Sequence, residues 1–194
     1  MAVWNDYVAK IARGLGDLVV TDHAQASITA IDGFDRWVAL TRETHGRGGQ
    51  VFLIGNGGSA AMASHMAADA CKNGHLRAMA LNDFAMLTAT GNDLAYAEVF
   101  ALPLERLARR GDQLVTISSS GNSPNVVRAL ETARRVGMES VTLSAKGADN
   151  QSRGLGDLNF YVPVTRYGWA ESAHQILLHY WFDQYLHLHR DGAL

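Results

Sequence analysis

The sequence is poor in the features that mark several protein classes. It holds one cysteine, Cys71, so no disulfide forms within the chain and nothing points to a secreted disulfide scaffold. No apolar run reaches the ~20 residues that a membrane-spanning helix requires. The first residues carry no basic-then-apolar leader pattern, so the expected location is the cytoplasm. Positive charge is scarce as well. The formal net charge is −2, and the densest basic run, Arg106-Leu107-Ala108-Arg109-Arg110, reads as the positive end of a helix that stops at Gly111. Neither nucleic acid nor a membrane is therefore an expected partner. A solenoid-period repeat, a G-x-G-x-x-G fingerprint and the lysine of a nucleotide-binding P-loop are also missing.

What is present fits one globular domain spanning residues 1–194, with 47% apolar and 19% charged residues. Residues 2–20 and 24–45 carry apolar positions at helical spacing, with a break near Thr21-Asp22. These two helices are expected either to cover a sheet or to serve subunit packing. Five short apolar or β-branched runs follow, at 51–54, 77–81, 114–117, 141–143 and 158–162. Helical patterns at 59–72, 84–90, 96–110, 124–136 and 169–188 come after successive runs, and Gly91-Asn92-Asp93 reads as a turn. Such alternation predicts a parallel α/β sheet covered on both faces.

Two loops carry the chemistry. Gly55-Asn56-Gly57-Gly58-Ser59 follows the first strand and opens an alanine-rich helix, where backbone N–H groups and the helix dipole favour an anion. Ser118-Ser119-Ser120-Gly121-Asn122-Ser123-Pro124 repeats the arrangement after the third strand, with hydroxyls suited to a phosphate monoester. Ordinary serine turn and cap chemistry is the alternative for either loop alone. Two such loops at strand ends of one sheet point to a shared phosphorylated ligand. Beyond the first loop, His65 and Asp69 share a helical face at i,i+4, and Glu171, Gln175 and His179 form a ladder on the last helix. A carboxylate and a histidine in one site suit proton transfer from carbon, as in aldose–ketose isomerisation. His65, Asp69, Glu171 and His179 also make a four-ligand set for a divalent metal, zinc above others. A plain His–Asp surface pair is the alternative.

Together these motifs resemble the sugar isomerase (SIS) domain, closest to its phosphoheptose isomerase branch. The resemblance rests on Gly55–Ala61, His65, Gly91-Asn92-Asp93 with Tyr96 and Val99-Phe100, and Ser118–Asn125. It implies a flavodoxin-like three-layer fold with a five-stranded parallel sheet, a homotetramer, and sites built by more than one subunit. It implies isomerisation of sedoheptulose 7-phosphate, with phosphate on Ser118, Ser119, Ser120 and Ser123 and sugar contacts from Asn56, Gly57, Gly58, Ser59 and Asp93. Asp69 stands where the family has its glutamate base, His179 is its acid, and some members bind zinc at the positions of His65, Asp69, Glu171 and His179. SIS domains also act as sugar-phosphate sensors, and a relative partners the bacterial replication initiator, so a non-catalytic binding role is the competing expectation.

Two departures stand out. Asp69 is one carbon–carbon bond, about 1.5 Å, shorter than glutamate, and Glu171 replaces a neutral glutamine, supplying a second carboxylate as base or ligand. The family aspartate three residues earlier falls on Gly168; a shifted register would put Glu171 on that aspartate and His174 on the glutamine. The spacing to His179 favours the first register.

Overall fold

Val51-Phe52-Leu53-Ile54 alternates its side chains between two separate apolar cores, and the whole fold follows from that strand. Val51 and Leu53 pack into one core with Trp37, Met66, Leu178 and Trp181, while Phe52 and Ile54 enter a second with Phe100, Leu104 and Leu130. A strand buried on both faces requires a layer of helices on each side.

The computed structural model describes residues 3–190. In chain order the elements are α1 (Trp4–Gly16), β1 (Val19–Asp22), β2 (Ser27–Ile28), α2 (Ala30–Gly46), β3 (Val51–Gly55) and α3 (Gly58–Gly74). Then come β4 (Ala78–Ala80), α4 (Phe84–Asp93), a 3-10 turn (Tyr96–Glu98), α5 (Ala101–Leu107), β5 (Gln113–Ser118) and α6 (Pro124–Val136). The last elements are β6 (Glu139–Ala145), α7 (Gln151–Leu155), β7 (Leu158–Val162) and α8 (Tyr167–Arg190).

Among the described residues the sheet has seven strands in the order β2-β1-β7-β6-β5-β3-β4. The expected five-stranded parallel sheet is its β4-β3-β5-β6-β7 part, in the flavodoxin-like order. The correction is an antiparallel hairpin, β1–β2, added to the β7 edge. Val19 and Val20 continue the helical spacing of α1 but pair with Tyr161 and Phe160 instead. Asp22 Oδ1 accepts from the Ala24 and Ala26 backbone N–H groups, closing the hairpin turn where a helix break was expected. Ala2, the first residue of the expected opening helix, lies outside the described residues.

The second expected helix begins six residues late, at Ala30, where Thr29 caps it by accepting from Asp32 N. Its Phe34, Trp37 and Val38 are buried, so α2 covers the sheet. Trp37 stacks on Trp181 of α8 at 4.7 Å between centroids and 8° between planes, joining α2 to the last helix. Gly91-Asn92-Asp93, expected as a turn, forms the final turn of α4, and the pattern at 96–110 divides into the 3-10 turn and a short α5.

Candidate active site

The strand order reverses between β3 and β5, and a cavity of about 130 Å³ opens at their carboxyl ends. This is the switch point at which open α/β sheets bind ligands. Asn56 and Ser59 of the first loop line it, and Ser118, Ser119, Ser120 and Ser123 of the second face the same space. Tyr167 and Glu171 of α8 complete the wall.

Each loop is held by local chemistry. Gly57 sits at φ +54°, ψ −121°, a conformation that side chains resist, and this turn starts α3 directly at the strand end. Gly121 at φ +62° is doubly constrained, because a β-carbon there would collide with the Asn150 side chain. Asn150 donates to Ser144 Oγ at 3.1 Å and to the Gly147 carbonyl at 2.8 Å, while Ser152 N and Oγ both donate to the Gly121 carbonyl. The serine loop is thus braced from behind by the segment around α7.

A reciprocal amide pair ties the two loops together. Asn56 Nδ2 donates to Asn125 Oδ1 at 2.9 Å, and Asn125 Nδ2 donates back to Asn56 Oδ1 at 2.8 Å. Tyr96 Oη adds a 3.0 Å bond to the same Asn56 oxygen. The Ser123 hydroxyl makes no capping bond to α6, and the buried Ser119 Oγ has no hydrogen-bond partner among the described residues. Buried donors without partners are costly, so these hydroxyls suit an oxyanion ligand.

Other expected site residues fall differently. Gly57 and Gly58 shape the first loop without lining the cavity; a β-carbon on Gly58 would lie 3.1 Å from Glu171 Oε2. Asp93 ends α4, accepts from Asn92 Nδ2 at 2.8 Å and lies outside the cavity wall. His65 and Asp69 pair at 3.5 Å, and the His65 ring meets His179 edge-on at 5.5 Å between centroids. That cluster sits along the seam between α3 and α8, where Gln175 Nε2 also donates to Met66 Sδ at 3.5 Å. Eight residues of helix, about 12 Å of rise, separate His179 from Glu171. Glu171 therefore belongs to the serine cavity, and the His65–Asp69–His179 cluster lies beyond it.

The metal expectation fares accordingly. Among the described residues no three His, Cys, Asp or Glu side chains approach closely enough to hold a metal ion. The four-residue set does not assemble, because Glu171 stands at the cavity and away from the other three. Gly168, on which the first register places the family aspartate, has the Tyr7 hydroxyl 2.5 Å from where a β-carbon would be. A side chain at position 168 would therefore require Tyr7 to move, and the nearby acidic group is Glu171, one turn further into the cavity wall.

Two features of the site lay outside the sequence reading, and a third, His174, entered it only through the shifted register. Tyr167 forms part of the wall with Lys146 Nζ 3.1 Å above its ring, and nothing in the spacing marked it. Asn150 and Ser152 act from the segment between β6 and β7, which has no role in the sequence reading. His174, one turn beyond Glu171, is fully buried with neither ring nitrogen hydrogen-bonded. Burial pushes its pKa down to about 4, with the Ser144 backbone beside the ring acting weakly the other way.

Comparison with known proteins agrees with this architecture. The model of the SIS domain family matches residues 20–145. The phosphoheptose isomerase of Desulfovibrio desulfuricans is 49% identical over 107 residues, covering 52% of this chain and 51% of that protein. In that alignment the chain spans about half the length of the curated relative. The phosphoheptose isomerase of Dechloromonas aromatica is 31% identical over 186 residues, covering 90% of this chain and 92% of that protein. Among solved structures, the phosphoheptose isomerase of Neisseria gonorrhoeae superposes with a TM-score of 0.80 at 28% identity, covering 94% of each chain.

Proposed function

Because the chain belongs to the SIS domain family, we propose that it is a sugar-phosphate isomerase interconverting ketose and aldose through an enediol. The substrate we assign is sedoheptulose 7-phosphate, giving D-glycero-D-manno-heptose 7-phosphate for heptose assembly in the cytoplasm. One observation carries the reading: a phosphate-suited serine cradle and a carboxylate, Glu171, wall the same cavity.

The phosphate sits on the hydroxyls of Ser118, Ser119, Ser120 and Ser123 at the positive end of α6. Asn56 and Ser59 hold sugar hydroxyls, Asn56 being fixed by Asn125 and Tyr96. Glu171 removes a proton from C1 of the ketose; the C1–C2 enediol forms as the C2 carbonyl oxygen takes a proton. Glu171 then returns the carbon proton to C2 while O1 loses its own, leaving the aldehyde. Ser59 and Tyr167 are the wall hydroxyls available to hydrogen-bond the enediol oxygens. Asp69 and His179, set further along the α3–α8 seam, are assigned to orienting the sugar rather than to the carbon proton.

Two finer parts of the reading rest on the family resemblance. For zinc, His65 approaches Asp69 and His179 along the α3–α8 seam while Glu171 stands apart at the cavity, so the four residues do not form a ligand set and no step above runs through a metal. A homotetramer is supported by large exposed apolar side chains, Trp4, Ile31 and Phe84 among them.

Incubation of the purified chain with sedoheptulose 7-phosphate tests the function. Aldose formation that is lost in Glu171→Gln, with sugar-phosphate binding retained, is the expected result. Binding without turnover on this and other ketose phosphates overturns it in favour of a sugar-phosphate sensor.

A further inference from the structure

At the opposite end of the sheet the same two strands, β3 and β5, begin at a second cavity of about 180 Å³. The residues just before them, Gln50 and Asp112, form its floor, and Arg47, Arg77, Arg109 and Arg110 stand around it. From Gln50 to Asn56 the strand spans about 20 Å, so this cleft is separate from the serine cavity.

Four arginines and one carboxylate line this space, in a chain whose net charge is −2. That carboxylate is already engaged: Asp112 Oδ1 accepts from Gln50 N at 2.8 Å and Oδ2 from Arg109 N at 2.7 Å. Arg47 Nε donates to the Gly111 carbonyl at 3.2 Å and Arg77 to the Gly48 carbonyl at 2.8 Å. Both are anchored by neutral oxygens, which position their charge without cancelling it. Neither the Arg109 nor the Arg110 side chain has a hydrogen-bond or ion-pair partner among the described residues. Glu139, within electrostatic reach of Arg47, lines a different hollow.

The ligand class follows from what surrounds the space. Guanidinium forks match phosphate oxygens, and several of them about one cavity match more than one phosphate. No aromatic ring lines the cleft, so it has no platform for a nucleobase. We propose that this cleft is a second anion site, for a compact molecule carrying two phosphate groups. Inorganic pyrophosphate and a sugar bisphosphate share that chemistry.

Titration calorimetry on the full chain tests the site, with inorganic pyrophosphate and fructose 1,6-bisphosphate in separate arms. Arg109→Ala/Arg110→Ala is the informative variant, because neither side chain makes a hydrogen bond or ion pair among the described residues. Pyrophosphate or the bisphosphate binds the wild type, the double variant weakens that binding at least tenfold, and Ser119→Ala leaves it within twofold. Whichever arm binds more tightly identifies the source. No binding by either up to millimolar concentration overturns the site, as does binding that survives in the double variant or is lost in Ser119→Ala.

Discussion

His174 shows what a single residue contributes beyond its chemistry. Its imidazole is held neutral in the fold by burial, with its pKa near 4 against an unfolded value of about 6.5. Protonation therefore favours the unfolded chain. The neutral-state stability is fully present above pH 6.5 and is lost as the pH falls toward 4, by up to about 3 kcal/mol. Denaturant melts between pH 7 and pH 4 should show that loss in the wild type and a flatter profile in His174→Met, whose side chain fills the space without titrating. An unchanged slope would assign the acid sensitivity elsewhere. Nothing in the sequence signalled this burial: a histidine three residues past Glu171 on an amphipathic helix reads as surface or core with equal ease.

Elements account for both what was legible and what was not. The two loops stand out in the sequence because glycine and serine at a strand end act locally, through φ freedom and short hydrogen bonds. The β1–β2 hairpin stayed hidden because Val19 and Val20 fit a helical period as well as a strand, and pairing with β7 decided between them. The division between the serine cavity and the His65–Asp69–His179 cluster was equally invisible, since it depends on how α3 lies beside α8. The brace behind the serine loop belongs to this scale too. Asn150→Ala leaves Ser144 Oγ and the Gly147 carbonyl without their partner, at a cost of about 1–3 kcal/mol. Because phosphate is gripped equally before and during the reaction, the variant should raise KM for the sugar phosphate several-fold with a smaller change in kcat. A fall confined to kcat would contradict the brace.

The whole molecule is one sheet used at both ends. At the carboxyl ends of β3 and β5, serine and asparagine side chains converge on a phosphate-sized space; at their amino ends, arginines do. No helix among the described residues is long and apolar enough to cross a membrane, and the large apolar side chains that remain exposed are spread over α1, α2, α4, α5 and α8. The family assignment covers the architecture, whereas the division of labour between Glu171 and Asp69 is the part we propose. The central claim is that Glu171 moves the carbon-bound proton, and exchange at that carbon reads it directly. With sedoheptulose 7-phosphate in deuterated water, followed by proton NMR, wild-type protein should incorporate deuterium at C1. Glu171→Gln should slow this by about a hundredfold or more, the scale of losing a positioned base, while Asp69→Asn retains most of it. Exchange that persists in Glu171→Gln and disappears in Asp69→Asn would contradict the account.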